Sequence, residues 1–253
     1  MDKKLLSIGE TAKLLGVSID TLRRWEKSDI LVSFRPSPSS KRYYRQEDIE
    51  LFLSKRQNIV NSNNIDNNIE LLANEWALSS QPISIPSSSY CETNDIFSAR
   101  LQHLEQELKR ISKLQNIYPL IIALVGEIGN NSYNHNLGNW PDISGTFFAY
   151  DLTQRIIVLA DRGRGIYATL KRVLPNLSDD QEALRTAFTQ YISGRAPEDR
   201  GNGLKFVRDI VSANPLHLQF YTGNAKLELQ QNTDLKISQS DLSFHGCLAI
   251  INY

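Results

Sequence analysis

Cysteine is nearly missing from this chain. Only Cys91 and Cys247 occur in 253 residues, far apart and with no histidine or cysteine at ligand spacing. That excludes a disulfide framework and argues against zinc, and it fits a reducing compartment. Net charge is missing too, since 28 Lys and Arg balance 28 Asp and Glu. No global field therefore directs the protein to nucleic acid or to a membrane surface. No apolar run approaches the roughly 18 residues of a membrane span, and the opening "MDKKLLSIGE" lacks the apolar core of a signal peptide. No internal repeat is visible. The expectation is a cytoplasmic protein of two domains, or of one domain with appendages.

Charge is present locally. Residues 1–60 carry twelve Lys and Arg against eight Asp and Glu, a basic excess confined to one end. Within it, "SIGETAKLLGV" has a helical pattern capped by Ser7, with Ile8, Ala12 and Leu15 on one face. Gly16 ends it, and "SIDTLRRWEKSDI" opens a second helix capped by Ser18. That helix offers Thr21, Arg23 and Arg24 outward while Leu22 and Trp25 are available to a core. Arginines so placed suit guanine edges or phosphates in a major groove. "SSKRYYR" adds Lys41, Arg42 and Arg45 for phosphates, with Tyr43 and Tyr44 packing or reaching the DNA backbone. A third helix follows in "QEDIELFLSKR".

These 50 or so residues resemble the DNA-binding head of the MerR/excisionase family. The "GVS-x-x-TLRRWE" signature stands at Gly16 to Glu26 and "R-x-Y" at Arg42 to Tyr44. The resemblance implies an all-α winged helix-turn-helix over residues 1–56, with Ser39 to Tyr44 as the wing and double-stranded DNA as the partner. The family's usual wing glycine is missing here.

Residues 57–95 are Asn-rich ("NIVNSNNIDNNIE") and then Ser/Pro-rich ("SSQPISIPSSSY"), the composition of a linker. Residues 96–117 read as a connecting helix. Its Phe97, Leu101, Leu104, Leu108 and Ile111 form a short heptad-like seam that either pairs two chains into a homodimer or packs on its own domain. From 118 onward an apolar helix with Pro119 in its first turn precedes the strands "GTFFAYDL" and "RIIVLAD". A polar helix near 179–192, the loop "SGRAPEDRGNG", the helix "LKFVRDIVSA" and the strand-like "HLQFYTG", "AKLELQQ" and "CLAIINY" complete the chain. That order predicts helices on one mixed sheet, an α+β two-layer sandwich.

Three pieces of this second half carry chemistry. In "EIGNNSYNH", Glu127, Asn131 and His135 fall at i, i+4 and i+8 on one helical face, opposite Leu120, Leu124 and Ile128. In "DRGRGI", Asp161 leaves a strand end before Gly163 and Gly165. In "RGNGL", Gly201 and Gly203 precede a helix whose N-terminal N–H groups suit a phosphate. Together they resemble the N box and the two glycine boxes of the GHKL ATP-binding domain shared by gyrase B subunits, histidine kinases, MutL and anti-sigma-factor kinases, and "FHGCLAIINY" resembles its closing strand. The resemblance covers 118–253 and implies ATP and Mg2+ as cofactors. By it, Asp161 hydrogen-bonds the adenine amino group, Gly163 and Gly165 let the backbone pass close to the base, and Asn131 holds magnesium. Glu127 orients or deprotonates a nucleophile. Residues 193–203 form a lid in which Arg195 or Arg200, with Gly201, Gly203 and Leu204, meets phosphate. Lys205 stands where the family often has glycine, and it either contacts phosphate or marks a site tuned for binding. The expected function is an ATP-binding, DNA-binding regulator. The competing class is a protein serine kinase or anti-sigma-like switch acting on a partner protein.

Overall fold

A computed structural model describes residues 5–15, 19, 22–23, 26, 31–35, 40–49, 69–79, 83–136, 142–190 and 203–253, with side chains omitted at 13, 15, 135 and 136. The chain divides into two compact units, Met1–Asn67 and Asn68–Tyr253.

In the first unit, strand β1 (Leu5–Ser7) leads into helix α1 (Ile8–Leu15). Ser7 and Glu10 cap that helix reciprocally: the Ser7 N–H and hydroxyl donate to the Glu10 carboxylate at 2.8 and 2.7 Å, and the Glu10 N–H donates to Ser7 Oγ. Two orphan donors at the helix start are thereby satisfied. Strand β2 (Tyr43–Arg45) pairs antiparallel with β1, Ser7 opposite Tyr43 and Leu5 opposite Arg45. Phe34 bridges to Tyr43. The expectation of an all-α head is corrected by this small sheet, which ties the chain after the second helix back to the N-terminus. Ala12, Leu22, Leu31, Tyr44 and Ile49 form the core.

The second unit is built on a five-stranded, wholly antiparallel sheet in the order β3-β4-β5-β7-β6. Its strands are β3 (Tyr90–Cys91), β4 (Thr146–Asp151), β5 (Ile156–Asp161), β6 (His217–Gln230) and β7 (Lys236–Asn252). The predicted mixed sheet is corrected: β4–β5 and β6–β7 are joined by short reversals, and every pairing in the sheet is antiparallel. "HLQFYTG" and "AKLELQQ" are one strand, not two. Gly223, at φ 53°, lies where the β6–β7 register shifts and the strand bends without ending.

On one face lie α3 (Asn94–Lys109), α4 (Tyr118–Asn136), α6 (Asp180–Thr189) and α7 (Gly203–Ala213). They cover Phe148, Ile157, Leu159, Phe220, Ala249 and Ile251. The short α5 (Gly165–Leu170) follows β5. The opposite face is covered as well. Helix α2 (Ile69–Leu78) packs Ala73, Trp76 and Ala77 against Phe147, Val158, Ala160, Leu248 and Ile250. The two-layer expectation and the linker reading of 57–95 are both corrected over α2 and β3, which belong to the folded unit. Every residue of β5 is consequently buried, as a strand covered on both faces must be.

The 96–117 helix ends at Lys109, and a single turn of 3-10 helix follows at Ser112–Leu114. Thr93 caps its start by accepting from the Ile96 N–H. The seam on it faces inward: Phe97, Leu104 and Leu108 are fully buried, and Leu101 and Ile111 pack on the same core. Phe97 meets Tyr133 and Phe148 at ring-centroid distances of 6.0 and 5.2 Å. Of the two readings of the seam, packing within its own domain is the one the structure supports. Among the described residues no helix is long and apolar enough to cross a membrane.

Candidate functional site

Asp161 ends β5, the central strand, and is 3% exposed. Its carboxylate is held from two sides. Ser132 Oγ, on α4, donates to Oδ2 at 2.9 Å, and the Gly163 N–H donates to Oδ1 at 2.8 Å. Both bonds orient a carboxyl group taken out of water, whose burial without partners would be costly.

The glycines around it are needed for space. A Cβ on Gly246 of β7 would lie 2.2 Å from Asp161 Oδ1, 2.4 Å from its carbonyl oxygen and 2.6 Å from Gly163 N. Gly165 has φ 73°, and a Cβ there would meet Thr222 Oγ1 at 2.8 Å. Thr222 is fully buried; its hydroxyl accepts from the Ile166 N–H at 3.1 Å and holds the start of α5 against β6. The Cys247 thiol reaches the same hydroxyl at 3.7 Å, and burial, with Asp161 nearby, pushes its pKa well above the ordinary value. The result is a close-packed junction of backbone segments around one buried carboxylate.

A second constellation lies along α4. Glu127 and Asn131 are half-buried, and the Glu127 carboxylate occupies the space a Cβ on Gly203 would need, at 1.7 Å. Gly203 is the first residue of α7, so a carboxylate sits at the positive end of an eleven-residue helix. Glu127 and Ser132 are five residues apart on one helix, which separates the two sites by about 7.5 Å of helix rise. Leu204 packs against the core. Lys205 turns away from the α7 start: Nζ donates to the Gln190 carbonyl at the end of α6. Burial, with Arg208 nearby, lowers its pKa. Arg195, Arg200 and Gly201 and the His135 side chain lie outside the described residues.

In the first unit the predicted DNA contacts divide. Arg23 and Lys41 are exposed. Arg42 donates through Nε to Glu26 Oε2 at 2.6 Å, so it braces the chain before β2 against the second helix. Burial raises the Glu26 pKa, but the Ser33 and Arg42 hydrogen bonds and the Arg42 and Arg35 charges outweigh it and hold the carboxyl below its usual range. Tyr43 is half-buried and exchanges backbone hydrogen bonds with Phe34 at 2.6 and 2.9 Å. Tyr44 is fully buried in the core, which corrects its candidacy as a DNA contact. The side chain fills space between helices. Thr21 and Arg24 lie outside the described residues.

Sequence reasoning missed Ser132, Thr222, Gly246 and Arg162. Arg162, the residue between Asp161 and the first glycine, is fully buried. A buried arginine inside "DRGRG" is itself the signal that could have found it, because such a charge requires several fixed acceptors.

The first unit presents exposed basic side chains at Arg23, Lys41 and Arg45. Residues 7–44 match the model of the MerR family regulatory protein, and the chain thus carries a MerR-type DNA-binding domain. It is also similar to the type II methyltransferase M.Eco47II of Escherichia coli, 42% identical over 52 residues. That similarity spans 21% of this chain and 12% of the methyltransferase.

Proposed function

We propose that the protein is a DNA-binding regulator whose second unit binds ATP with Mg2+, in the manner of the GHKL domains it resembles. The observation that carries this reading is the buried Asp161 carboxylate, oriented by Ser132 and Gly163 at the end of the central strand and enclosed by glycines that cannot take a Cβ. An ionised carboxylate is only an acceptor, so it selects a ligand edge that donates. The exocyclic amino group of adenine is such a donor, and Gly163, Gly165 and Gly246 would let backbone approach a flat base closely. The phosphates would lie toward Glu127, Asn131 and the start of α7, where helix N–H groups favour anions. Mg2+ bound there would neutralise charge on the phosphates, with Asn131 available to hold it. Glu127 would orient a nucleophile or take its proton.

The test is calorimetry of full-length protein with ATP·Mg, for the native chain and Asp161→Asn. The amide presents its own donor toward the adenine amino group, and a lost or mismatched buried hydrogen bond costs about 1–3 kcal/mol. The native chain should bind and the variant should lose about 5- to 150-fold in affinity. Unchanged affinity in a folded variant would remove the adenine assignment.

A further inference from the structure

The Arg162 guanidinium reaches away from Asp161, to Asp142 and to the end of α2. Nε donates to both oxygens of Asp142 at 3.1 and 3.0 Å, and Nη2 reaches the same carboxylate. Nη2 also donates to the Ser79 carbonyl at 2.8 Å, and Nη1 to the Trp76 carbonyl. Those carbonyls belong to the C-terminal end of α2 and the residue just after it, where helix carbonyls lack partners within the helix. The guanidinium also lies 5.8 Å from the Trp76 ring centroid. An arginine with no exposed surface thus clamps α2, while its chain neighbours are joined by the Gly163 N–H bond to the Asp161 carboxylate.

Resting on the adenine reading of Asp161, we propose that Arg162 is a positioning residue for that carboxylate, and that through it α2 and the base-binding carboxylate form one coupled element. The guanidinium holds the backbone between Asp161 and Gly163 from behind. The carboxylate can keep its orientation toward Ser132 and Gly163 N only while α2 stays docked. Conversely, a base that donates to Asp161 stabilises the loop and with it the clamp on α2. Helix α2 begins at Ile69, immediately after the boundary with the DNA-binding unit. The element that senses the base is therefore the first one the chain meets after its head.

The experiment uses full-length protein, ATP·Mg and ITP·Mg, in which a carbonyl replaces the adenine amino group. Calorimetry gives affinities, and amide hydrogen exchange reports α2. For the native chain, saturating ATP should slow exchange across residues 75–79 at least fivefold, the lower end of the range for coupled sites (about 5–150-fold), while ITP should not. Arg162→Lys keeps the charge but not the planar fork, and it should lower ATP affinity at least fivefold while leaving ITP within about twofold. A role in packing alone would not move that ratio. Should Arg162→Lys fail to fold, Asp142→Asn, which leaves the two carbonyl contacts in place, should narrow the ATP/ITP preference in the same direction. ATP binding with no change in α2 exchange, or variants that keep the native ATP/ITP preference, would overturn the coupling alone. A native chain that binds no ATP would overturn the adenine reading and this proposal with it.

Discussion

Replacing Gly129 by alanine tests where the apolar seam of α3 lies. A Cβ at this position of α4 would stand 2.1 Å from Cζ of Phe97 and 2.6 Å from both Cε atoms. Carbon pairs are comfortable at about 3.5–4.0 Å, so the ring must retreat by well over an ångström. Tyr133 and Phe148 close its way out, the latter edge-on at 5.2 Å. Two effects oppose each other. Alanine in place of glycine favours a helix interior by about 1 kcal/mol, whereas overpacking a close-packed core costs about 1–3 kcal/mol. With three ring atoms in conflict the upper part of that range applies, and the net expectation is a loss of about 1–2 kcal/mol. Urea denaturation of the full chain should show the second unit unfolding at a lower midpoint with an unchanged slope. Phe97→Leu removes the obstructing ring, and in that background Gly129→Ala should become neutral or stabilising. The coupling between the two changes should reach about 0.5–3 kcal/mol. If Gly129→Ala alone proves neutral or stabilising, Phe97 does not sit against α4, and the seam is available to pair two chains.

Other consequences concern both units. Tyr44→Phe removes a buried hydroxyl that has no hydrogen-bond partner among the described residues, so the head should be as stable or up to about 1 kcal/mol more stable by thermal melting; a marked loss would mean that the hydroxyl is bonded. Lys41→Ala should weaken binding to all DNA sequences and flatten the salt slope, while Arg23→Ala, if that side chain meets a base edge, should cost roughly 1–3 kcal/mol at one position only. Indifference of both variants in binding to DNA selected from a random pool would make the head a protein-interaction module. The Arg162 hydrogen bonds hold the Asp142 carboxyl below its ordinary value of 3.8. Its stabilisation is therefore present above that value and is lost as pH falls through the depressed folded value. The stability gap between the native chain and Asp142→Asn should close in that acid window and stay constant from there to neutral pH. A gap that persists at the acid end would contradict the ion pair.

Much of the fold was legible because periodicity survives composition. Ser7, Ala12 and Leu22 could be placed from helical spacing and capping chemistry alone. Helix α2 was hidden by its surroundings. Ile69, Leu72, Ala73, Trp76 and Ala77 follow helical spacing, but they stand between Asn-rich and Ser/Pro-rich stretches whose composition reads as linker. A second clue lay in β5. "IIVLA" does not alternate, and a strand without alternation is one covered on both faces; the covering helix had to come from somewhere. At the candidate site, Asp161, Gly163 and Gly165 could be singled out because a carboxylate and glycines at fixed spacing are local in sequence. Thr222 and Gly246 could not, since they join Asp161 only through the pairing of β7 with β5 and of β6 with β7. Tyr44 looked like a wing residue by its neighbours. Its burial is decided by β1–β2 register, which places Leu6 opposite it.

The most direct test of the account is one thermodynamic square on the full-length protein. A DNA duplex selected by the head is titrated without and with saturating ATP·Mg, and ATP·Mg is titrated without and with that DNA. A nucleotide-controlled DNA-binding regulator predicts that each ligand shifts the other's affinity by the same factor, about 5–150-fold. Equal affinities on both sides of the square would contradict it. The MerR-type head would then serve to localise a second unit whose nucleotide never reports to DNA.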